Sequence, residues 1–186
     1  MAAGERYGGG PIVVRDHDPA WAALFERERA SVGDALGPIV VTVEHVGSTA
    51  VPGLAAKPII DLLVAVRSLP EARSRCVQPL QALGYTYMAE YESWLPGELM
   101  FRKGPPGPWT HHAHVTEPSS PRWQELVLIR DYLRGHADVA AAYGDLKKAL
   151  ALVCGDDIVG YRHAKGPFLQ AVMAKARAAA GDPGRS

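Results

Sequence analysis

The protein has 186 residues, of which 47% are hydrophobic and 22% are charged, and its 20 basic and 20 acidic side chains cancel. This length and composition predict one globular domain with a sizeable core. The zero net charge gives no electrostatic sign of a nucleic-acid or membrane partner, and no apolar run reaches the roughly 18 residues of a membrane span. Cys76 and Cys154 are too far apart for a CxxC metal site, so we expect reduced thiols in a cytoplasmic protein.

The apolar pattern changes between helical and strand periods along the chain. In chain order it predicts a helix over 19–36, strands over 39–46 and 58–66, a helix over 70–83, strands over 85–91, 98–103 and 109–116, and helices from 121 to about 177. Breaks in the last segment are expected near Gly135 and Gly155. Pro167 should either kink the final helix near His163 or begin a new helix.

This order of elements predicts an α+β fold, with a mixed sheet core up to about residue 118 and a C-terminal helical bundle from about residue 121. Residues 11–180 are expected to form the single domain, and the ends at 1–10 and 181–186 are expected to be disordered. The oligomeric state stays open, because the exposed edges of a short mixed sheet could pair but no feature demands it.

One charge interrupts the second predicted strand. Asp61 lies inside an apolar run, and an ionised, unpaired carboxylate there would cost several kcal/mol. It must therefore be protonated, paired with a nearby lysine or arginine, or turned towards a cleft in which it holds a cation. The last alternative makes Asp61 a candidate site residue.

Gly47-Ser48 stands where the first strand ends and the chain turns. Exposed backbone N–H groups and a hydroxyl at such a place can hold phosphate oxygens, although a Gly-Ser pair is also an ordinary turn sequence. The spacing matches neither the GxxxxGK[ST] phosphate loop nor the GxSxG nucleophile turn. Gly47 and Ser48 are therefore candidate phosphate-binding residues.

His112 and His114 alternate along a predicted strand. The period of two puts both imidazoles on one face, where they could share a metal ion or a phosphate, or be ordinary surface histidines. His111 should face the other side and be solvated. His45 is in phase with apolar residues of the first strand, which is more typical of a core histidine than of a ligand.

Cations also fall within the apolar stripes of the C-terminal helices. Arg130 and Lys165 lie inside such stripes, and Lys147 lies at the edge of one. Tyr143 and Lys147, like Tyr161 and Lys165, are four residues apart and so share a helix face. A single cation of this kind usually extends to the surface, but three from three helices together predict an anionic ligand between the bundle and the sheet.

These residues resemble the GrpB-like family, which is assigned to the nucleotidyltransferase superfamily and is sometimes fused to a dephospho-CoA kinase. The resemblance covers about residues 21–176. It rests on EHVGSTAVPGLAAKPIIDLLV (44–64), HAHV (112–115), RDYLR (130–134) and the two pairs Tyr143/Lys147 and Tyr161/Lys165.

The resemblance implies a nucleotidyltransferase α/β core with a helical C-terminal part. In that superfamily Gly-Ser or Gly-Gly ends one strand, Asp-x-Asp/Glu follows on the next, and a later acid completes a site for two divalent ions that bridge a triphosphate. Gly47-Ser48 and Asp61 match the first elements, whereas Leu63 stands at the second carboxylate and the HxH strand stands at the later acid. One carboxylate with histidines is a poor site for two Mg²⁺ ions.

The leading hypothesis is a nucleotidyltransferase-like enzyme that uses a nucleotide triphosphate, such as ATP, on a small molecule, for instance to activate a carboxylate as its adenylate. Asp61, His112 and His114 are then the catalytic residues and the ligands of Mg²⁺ or another divalent metal. The residues expected to bind the nucleotide and its phosphates are Gly47, Ser48, Lys57, Arg130, Lys147, Tyr161 and Lys165.

Two other classes of function stay open. A catalytically silent module that binds a nucleotide or anion, linked to cofactor metabolism, would explain the missing acid at Leu63. A metal-dependent hydrolase would instead hold zinc with Asp61, His112 and His114, with His45 as an optional further ligand.

Overall fold

A single mixed sheet of five strands forms the centre of the computed structural model, which describes residues 11–105 and 109–181. In chain order the strands are β1 (Val40–Val46), β2 (Ile60–Val66), β3 (Tyr85–Tyr87), β4 (Glu98–Lys103) and β5 (His111–Thr116). Their order in space is β1-β2-β5-β4-β3; β2 and β5 run parallel, and the other neighbours are antiparallel. The predicted α+β fold is confirmed. The predicted disordered ends, apart from Gly181, lie outside the described residues.

Three helices cover one face of this sheet. They are α1 (Ala20–Leu36), α2 (Leu69–Arg75) and α3 (Val77–Ala82). Their apolar sides join the main core, in which Phe25 of α1 is 6% exposed and Leu62 of β2 and Phe101 of β4 are fully buried. This face therefore carries most of the hydrophobic stabilisation.

The prediction of one helix over 70–83 is wrong, because the chain breaks into α2 and α3 at Cys76. Pro79 explains the break. It has no N–H to donate to the carbonyl of Arg75, and its ring crowds that carbonyl.

Four helices lie on the other side of the sheet. They are α4 (Pro121–Gly135), α5 (Ala137–Cys154), α6 (Ile158–Ala164) and α7 (Gly166–Ala179). Of these, α4, α5 and α7 form a second apolar cluster with the segment that follows β1, and this cluster buries Leu54 and Tyr143. The breaks predicted near Gly135 and Gly155 are confirmed, and Pro167 stands in the first turn of α7, so it begins a new helix. Of the helices described, none has both the length and the apolar character needed to cross a membrane.

The strand predicted over 85–91 is confirmed only over Tyr85–Tyr87. The chain then leaves the sheet edge and turns through a 3₁₀ helix, Ala89–Ser93. This turn buries Tyr91, whose hydroxyl accepts a hydrogen bond from Nη2 of Arg102 at 2.5 Å. The strands predicted from 39, 58 and 109 begin slightly later in the structure.

Hydrogen bonds from two directions fix the turn after β1. Thr49 Oγ1 donates to the carbonyl of Ile59 at 3.2 Å, so it accepts from the Nε2–H of His45, which lies 3.0 Å away. From α4, Arg134 Nε donates to the carbonyl of Ala50 at 2.8 Å. The end of β1 is thereby held against the start of β2.

Replacing Thr49 by valine should lower the free energy of unfolding by about 1–3 kcal/mol, because the buried Nε2–H of His45 would lose its acceptor. Urea denaturation at pH 7 measures the change. Thr49→Ser keeps the hydroxyl and serves as the control, so it should lose less stability. Equal losses in the two variants would show that the hydrogen bond does not stabilise the turn.

Candidate functional site

The centre of the candidate site is the parallel pair of β2 and β5. Their register places Asp61 beside His112 and, two residues further on, Leu63 beside His114. Paired residues share a face of the sheet, and this face is turned towards the helical bundle. His112 Nδ1 lies 3.0 Å from Asp61 Oδ1, and His114 Nε2 lies 3.9 Å from the same oxygen. The structure therefore brings together the three residues predicted to be catalytic and metal-binding.

Glu98, at the start of β4, completes this cluster, although in the sequence it only follows a Pro-Gly turn and is not singled out. Its side chain is fully buried, and its Oε1 lies 2.5 Å from Nδ1 of His114. Arg122 donates from Nε to the other carboxylate oxygen at 3.1 Å. Burial would raise the pKa of Glu98, but His114 and Arg122 hold it below its usual range. Glu98 thus fixes the His114 ring and leaves its Nε2 towards Asp61.

The charges at this centre follow from burial and from the neighbouring groups. Burial would raise the pKa of the Asp61 carboxyl, but the hydrogen bond with His112 and the nearby ring of His114 hold that pKa well below its usual range. Burial lowers the pKa of His112. For His114 the charges of Glu98 and Asp61 outweigh burial and raise the pKa to about 9. Asp61 is therefore ionised at neutral pH.

Gly47, at the end of β1, is required for two reasons. Its φ of 72° lies in the left-handed region that favours glycine. In addition, a β-carbon at this position would overlap Oδ2 of Asp61. Gly47 and Ser48 line the same cavity as Asp61, so the predicted phosphate-binding pair lies beside the carboxylate.

A cavity of about 370 Å³ opens between this face of the sheet and the bundle. Cations dominate its lining, and Asp61 is the one carboxylate among the described residues that line it. The lining cations are Lys57, Arg102, Arg122, Arg130, Lys147, Arg162 and Lys165. This excess of positive charge favours an anionic ligand.

The lysines of the cavity lie against tyrosine rings. Lys147 Nζ lies 4.5 Å from the centroid of the Tyr143 ring, and Lys165 Nζ lies 4.6 Å from that of Tyr161. Lys57 Nζ also lies over the Tyr161 ring, 5.8 Å from its centroid. Tyr143 and Lys147 share a face of α5 as predicted, whereas Lys165 follows the last residue of α6 and lies at its junction with α7. All four side chains line the cavity.

Burial makes these lysines easier to deprotonate. Burial, together with the positive charge of Lys165, lowers the pKa of Lys147 to about 7. Burial, with the charge of Lys57, lowers the pKa of Lys165 to about 8. Lys147 is only 2% exposed, and its Nζ has no hydrogen-bond partner within the described part of the chain.

Arg130 differs from the lysines, because most of its donors are already used. Nη1 donates to Glu44 Oε2 at 2.8 Å and to the carbonyl of His45 at 3.1 Å. Nε and Nη2 donate to the two carboxylate oxygens of Asp131. Arg130 lines the cavity, but it mainly ties α4 to the end of β1.

Two histidines lie on the far side of the sheet. His45 stacks on Phe25, with 4.5 Å between ring centroids, and is separated by the sheet from Asp61. It is therefore a core histidine, and it cannot be the optional further ligand of a zinc site. His111 faces away as predicted, but the expectation that it is solvated is wrong: its side chain is 13% exposed and lies 3.9 Å from Glu28.

Arg102 is a further cavity residue that the sequence does not single out. Its guanidinium lies 4.8 Å from the ring centroid of Tyr91 and 5.9 Å from that of Trp109. It is paired with His112 across β4 and β5, so it shares the face of the candidate centre. The period of two along β4 would have indicated that face only once the strand pairing was known.

Comparison with known proteins identifies the family. The model of the GrpB protein family matches residues 11–175. The chain belongs to the GrpB family. The resemblance seen in the sequence, to a GrpB-like family of the nucleotidyltransferase superfamily, is confirmed.

Two relatives and a crystal structure show how far the GrpB similarity extends. The chain is 37% identical to the UPF0157 protein YqkA of Bacillus subtilis over 161 residues, which are 87% of this chain and 46% of that protein. It is 39% identical to a UPF0157 protein of Streptomyces coelicolor over 175 residues, 92% of this chain and 89% of that one. The crystal structure of the conserved protein GrpB from Enterococcus faecalis matches with a TM-score of 0.84 and 35% identity, over 91% of this chain and 99% of that chain. The chain thus spans less than half the length of the Bacillus relative.

The donor atoms of this GrpB chain do not fit a site for two Mg²⁺ ions. Magnesium takes oxygen ligands in near-octahedral geometry, whereas the centre offers one carboxylate, Asp61, and the imidazoles of His112 and His114. Leu63, where the superfamily pattern has a second carboxylate, is fully buried. These donors suit an ion that accepts nitrogen ligands better than they suit magnesium.

Lys147→Met should raise the free energy of unfolding at pH 6 and lose this advantage as the pH rises to 10. Lys147 has a pKa of about 7 in the fold and an ordinary value of 10.5, so the unfolded chain holds a proton that the folded chain releases between these values. The wild-type protein therefore gains up to about 1.4 kcal/mol per pH unit across this range, relative to the variant.

Urea denaturation at several pH values measures this difference. Lys148→Met is the matched control, because Lys148 is the next residue of α5, is exposed and pairs with Asp16. The change that Lys148→Met makes in the free energy of unfolding should not grow towards low pH. A Lys147→Met variant whose stability relative to wild type is the same at pH 6 and pH 10 would contradict the burial of a charged group.

Proposed function

We propose that the cavity binds the phosphates of a nucleotide, and that the protein is a nucleotidyltransferase-like enzyme that uses this nucleotide on a small molecule. The burial of Lys147 is the observation that carries the proposal. Its Nζ is buried without a hydrogen-bond partner among the described residues. A buried cation whose Nζ lacks a hydrogen-bond partner is costly, and a bound anion removes that cost.

The surroundings of Lys147 support a ligand with several negative charges. The positive charges of Lys57 and Lys165 act on the same group, and Asp61 is the nearby opposite charge. A single carboxylate ligand would leave an excess of positive charge, whereas a triphosphate would balance it. Membership of a nucleotidyltransferase-superfamily family supports phosphates as the source of that charge.

The remaining cavity residues have proposed roles that follow from their places. Gly47 and Ser48 would contact phosphate oxygens beside Asp61, and the ring of Tyr161 would hold the ammonium group of Lys165 in position. ATP or a related triphosphate is the proposed nucleotide, and a carboxylate to be adenylated is one form of the small-molecule substrate. Both cysteines are free thiols, which supports a reducing, cytoplasmic location.

Asp61, His112 and His114 are the proposed catalytic residues, because they face the cavity beside the phosphate-binding lysines. His112 has a lowered pKa, so a neutral ring is available to accept a proton from an attacking group. Asp61 is ionised and would orient that group. The reaction would then transfer the nucleotidyl group to the small molecule and release pyrophosphate.

Isothermal titration calorimetry with ATP, in a buffer without divalent metal, tests the binding proposal. Lys147→Met should raise the Kd by about 10-fold to 100-fold, which corresponds to the loss of a charge-assisted hydrogen bond. Lys148→Met should leave the Kd unchanged. Inorganic triphosphate should compete with ATP, and a protein that binds neither ligand would contradict the proposal.

A catalytically silent nucleotide- or anion-binding module, linked to cofactor metabolism, is the second candidate, and the buried Leu63 favours it. Asp61→Asn separates the two functions, because it removes the charge and keeps the shape. For an enzyme, this variant should bind ATP but lose turnover, as measured by pyrophosphate release with a panel of small carboxylic acids. Since Asp61 is held ionised in the fold, the variant will be less stable and should be assayed well below its melting temperature. ATP binding by the wild type without any product would favour the module.

A further inference from the structure

We propose that Asp61, His112 and His114 bind one first-row transition-metal ion, and that Glu98 is the positioning residue that orients His114 for it. This centre stands in place of the pair of Mg²⁺ ions that the superfamily pattern implies. The proposal does not depend on nucleotide binding, because it concerns the carboxylate and the imidazoles of the cavity rather than its lysines and can be measured without nucleotide.

The distances between donor atoms suit a single ion. One nitrogen or oxygen atom from each of the three side chains lies within 4.8 Å of the others. His112 Nδ1 and His114 Nε2 both face Asp61 Oδ1, at 3.0 and 3.9 Å. Ligand atoms that share one ion at bond lengths of about 2.1 Å are separated by distances of this order.

The sheet holds these ligands rigidly. Asp61 and His112 are direct partners in the parallel pair of β2 and β5, and His114 follows two residues later on the same face. A site on neighbouring strands is more precisely positioned than one on loops. Little rearrangement would therefore be needed to bind an ion.

The environment of His114 is typical of a metal ligand. A histidine that binds a metal through one nitrogen usually donates the N–H of its other nitrogen to a carboxylate, which fixes the ring. Glu98 takes this place at 2.5 Å from Nδ1, and Arg122 holds Glu98 in turn. The pair of Glu98 and His114 needs no metal to form, so the ring is oriented in advance.

The donor types select the ion. Two imidazoles and one carboxylate suit Mn²⁺, Fe²⁺, Co²⁺ or Zn²⁺, and they leave coordination positions open towards the cavity. Asp61 is the one carboxylate on the described lining, so a second ion would lack ligands there. The nearby lysines oppose the binding of a bare cation, so the titration should extend to millimolar metal.

The experiment is a titration of the chelator-treated protein with Co²⁺, followed by visible absorption and by calorimetry, with no nucleotide present. We expect one Co²⁺ per chain, with d–d bands that report the ligands, and no displacement by an equal concentration of Mg²⁺. Glu98→Gln should weaken Co²⁺ binding by about 10-fold to 100-fold, the usual effect of losing such a partner. Asp61→Asn and His114→Ala should abolish the bands.

His111→Gln is the matched control, since His111 is on the same strand but faces the other side of the sheet. It should bind Co²⁺ as the wild type does. The proposal is overturned if the wild type binds no Co²⁺ at millimolar concentration, if it binds two Mg²⁺ ions at least as tightly, or if a folded Glu98→Gln variant binds Co²⁺ with unchanged affinity. Should Glu98→Gln fail to fold, the wild-type stoichiometry and the competition with Mg²⁺ still decide whether the centre binds one transition-metal ion. A failure of Co²⁺ binding with intact ATP binding would leave the nucleotide proposal standing.

Discussion

The ionised carboxylate of Asp61, half-buried on the inner face of a sheet, is the constraint on which the rest of the site depends. It is tolerated because the parallel partner strand supplies two histidines and because lysines from the bundle lie within electrostatic reach. Gly47 can approach it only because it has no β-carbon. The centre is thus stabilised by attraction around Asp61, while the positive charges of Lys147 and Lys165 repel each other.

Much of this arrangement is predictable from local pattern. Asp61 can be recognised because a charge in an apolar strand needs an explanation, and His112 and His114 because period two puts them on one face. The place of Lys147 beside Tyr143 follows from helical spacing within α5. Each of these inferences uses only neighbours in the sequence, because the amphipathic pattern of an element indicates which of its residues share a face.

Other features depend on which strands become neighbours. Glu98 lies directly across the sheet from Thr116, and its contact with His114 follows from the pairing of β4 with β5. Nothing local distinguishes it from a solvated glutamate at a turn. His111 is half-buried because α1 brings Glu28 over that face. These details are set by tertiary packing, which sequence periodicity does not encode.

The parallel pairing of β2 and β5 has a consequence for the order of folding. Parallel neighbours need a long connection. Here the connection between β2 and β5 contains both β3, the edge strand, and β4. Asp61 and His112 therefore meet only after a large loop has closed, which is typical of slow, high-contact-order steps. Because Lys147 and Lys165 come later still, the lining of the cavity is completed only after the last helices have been synthesised.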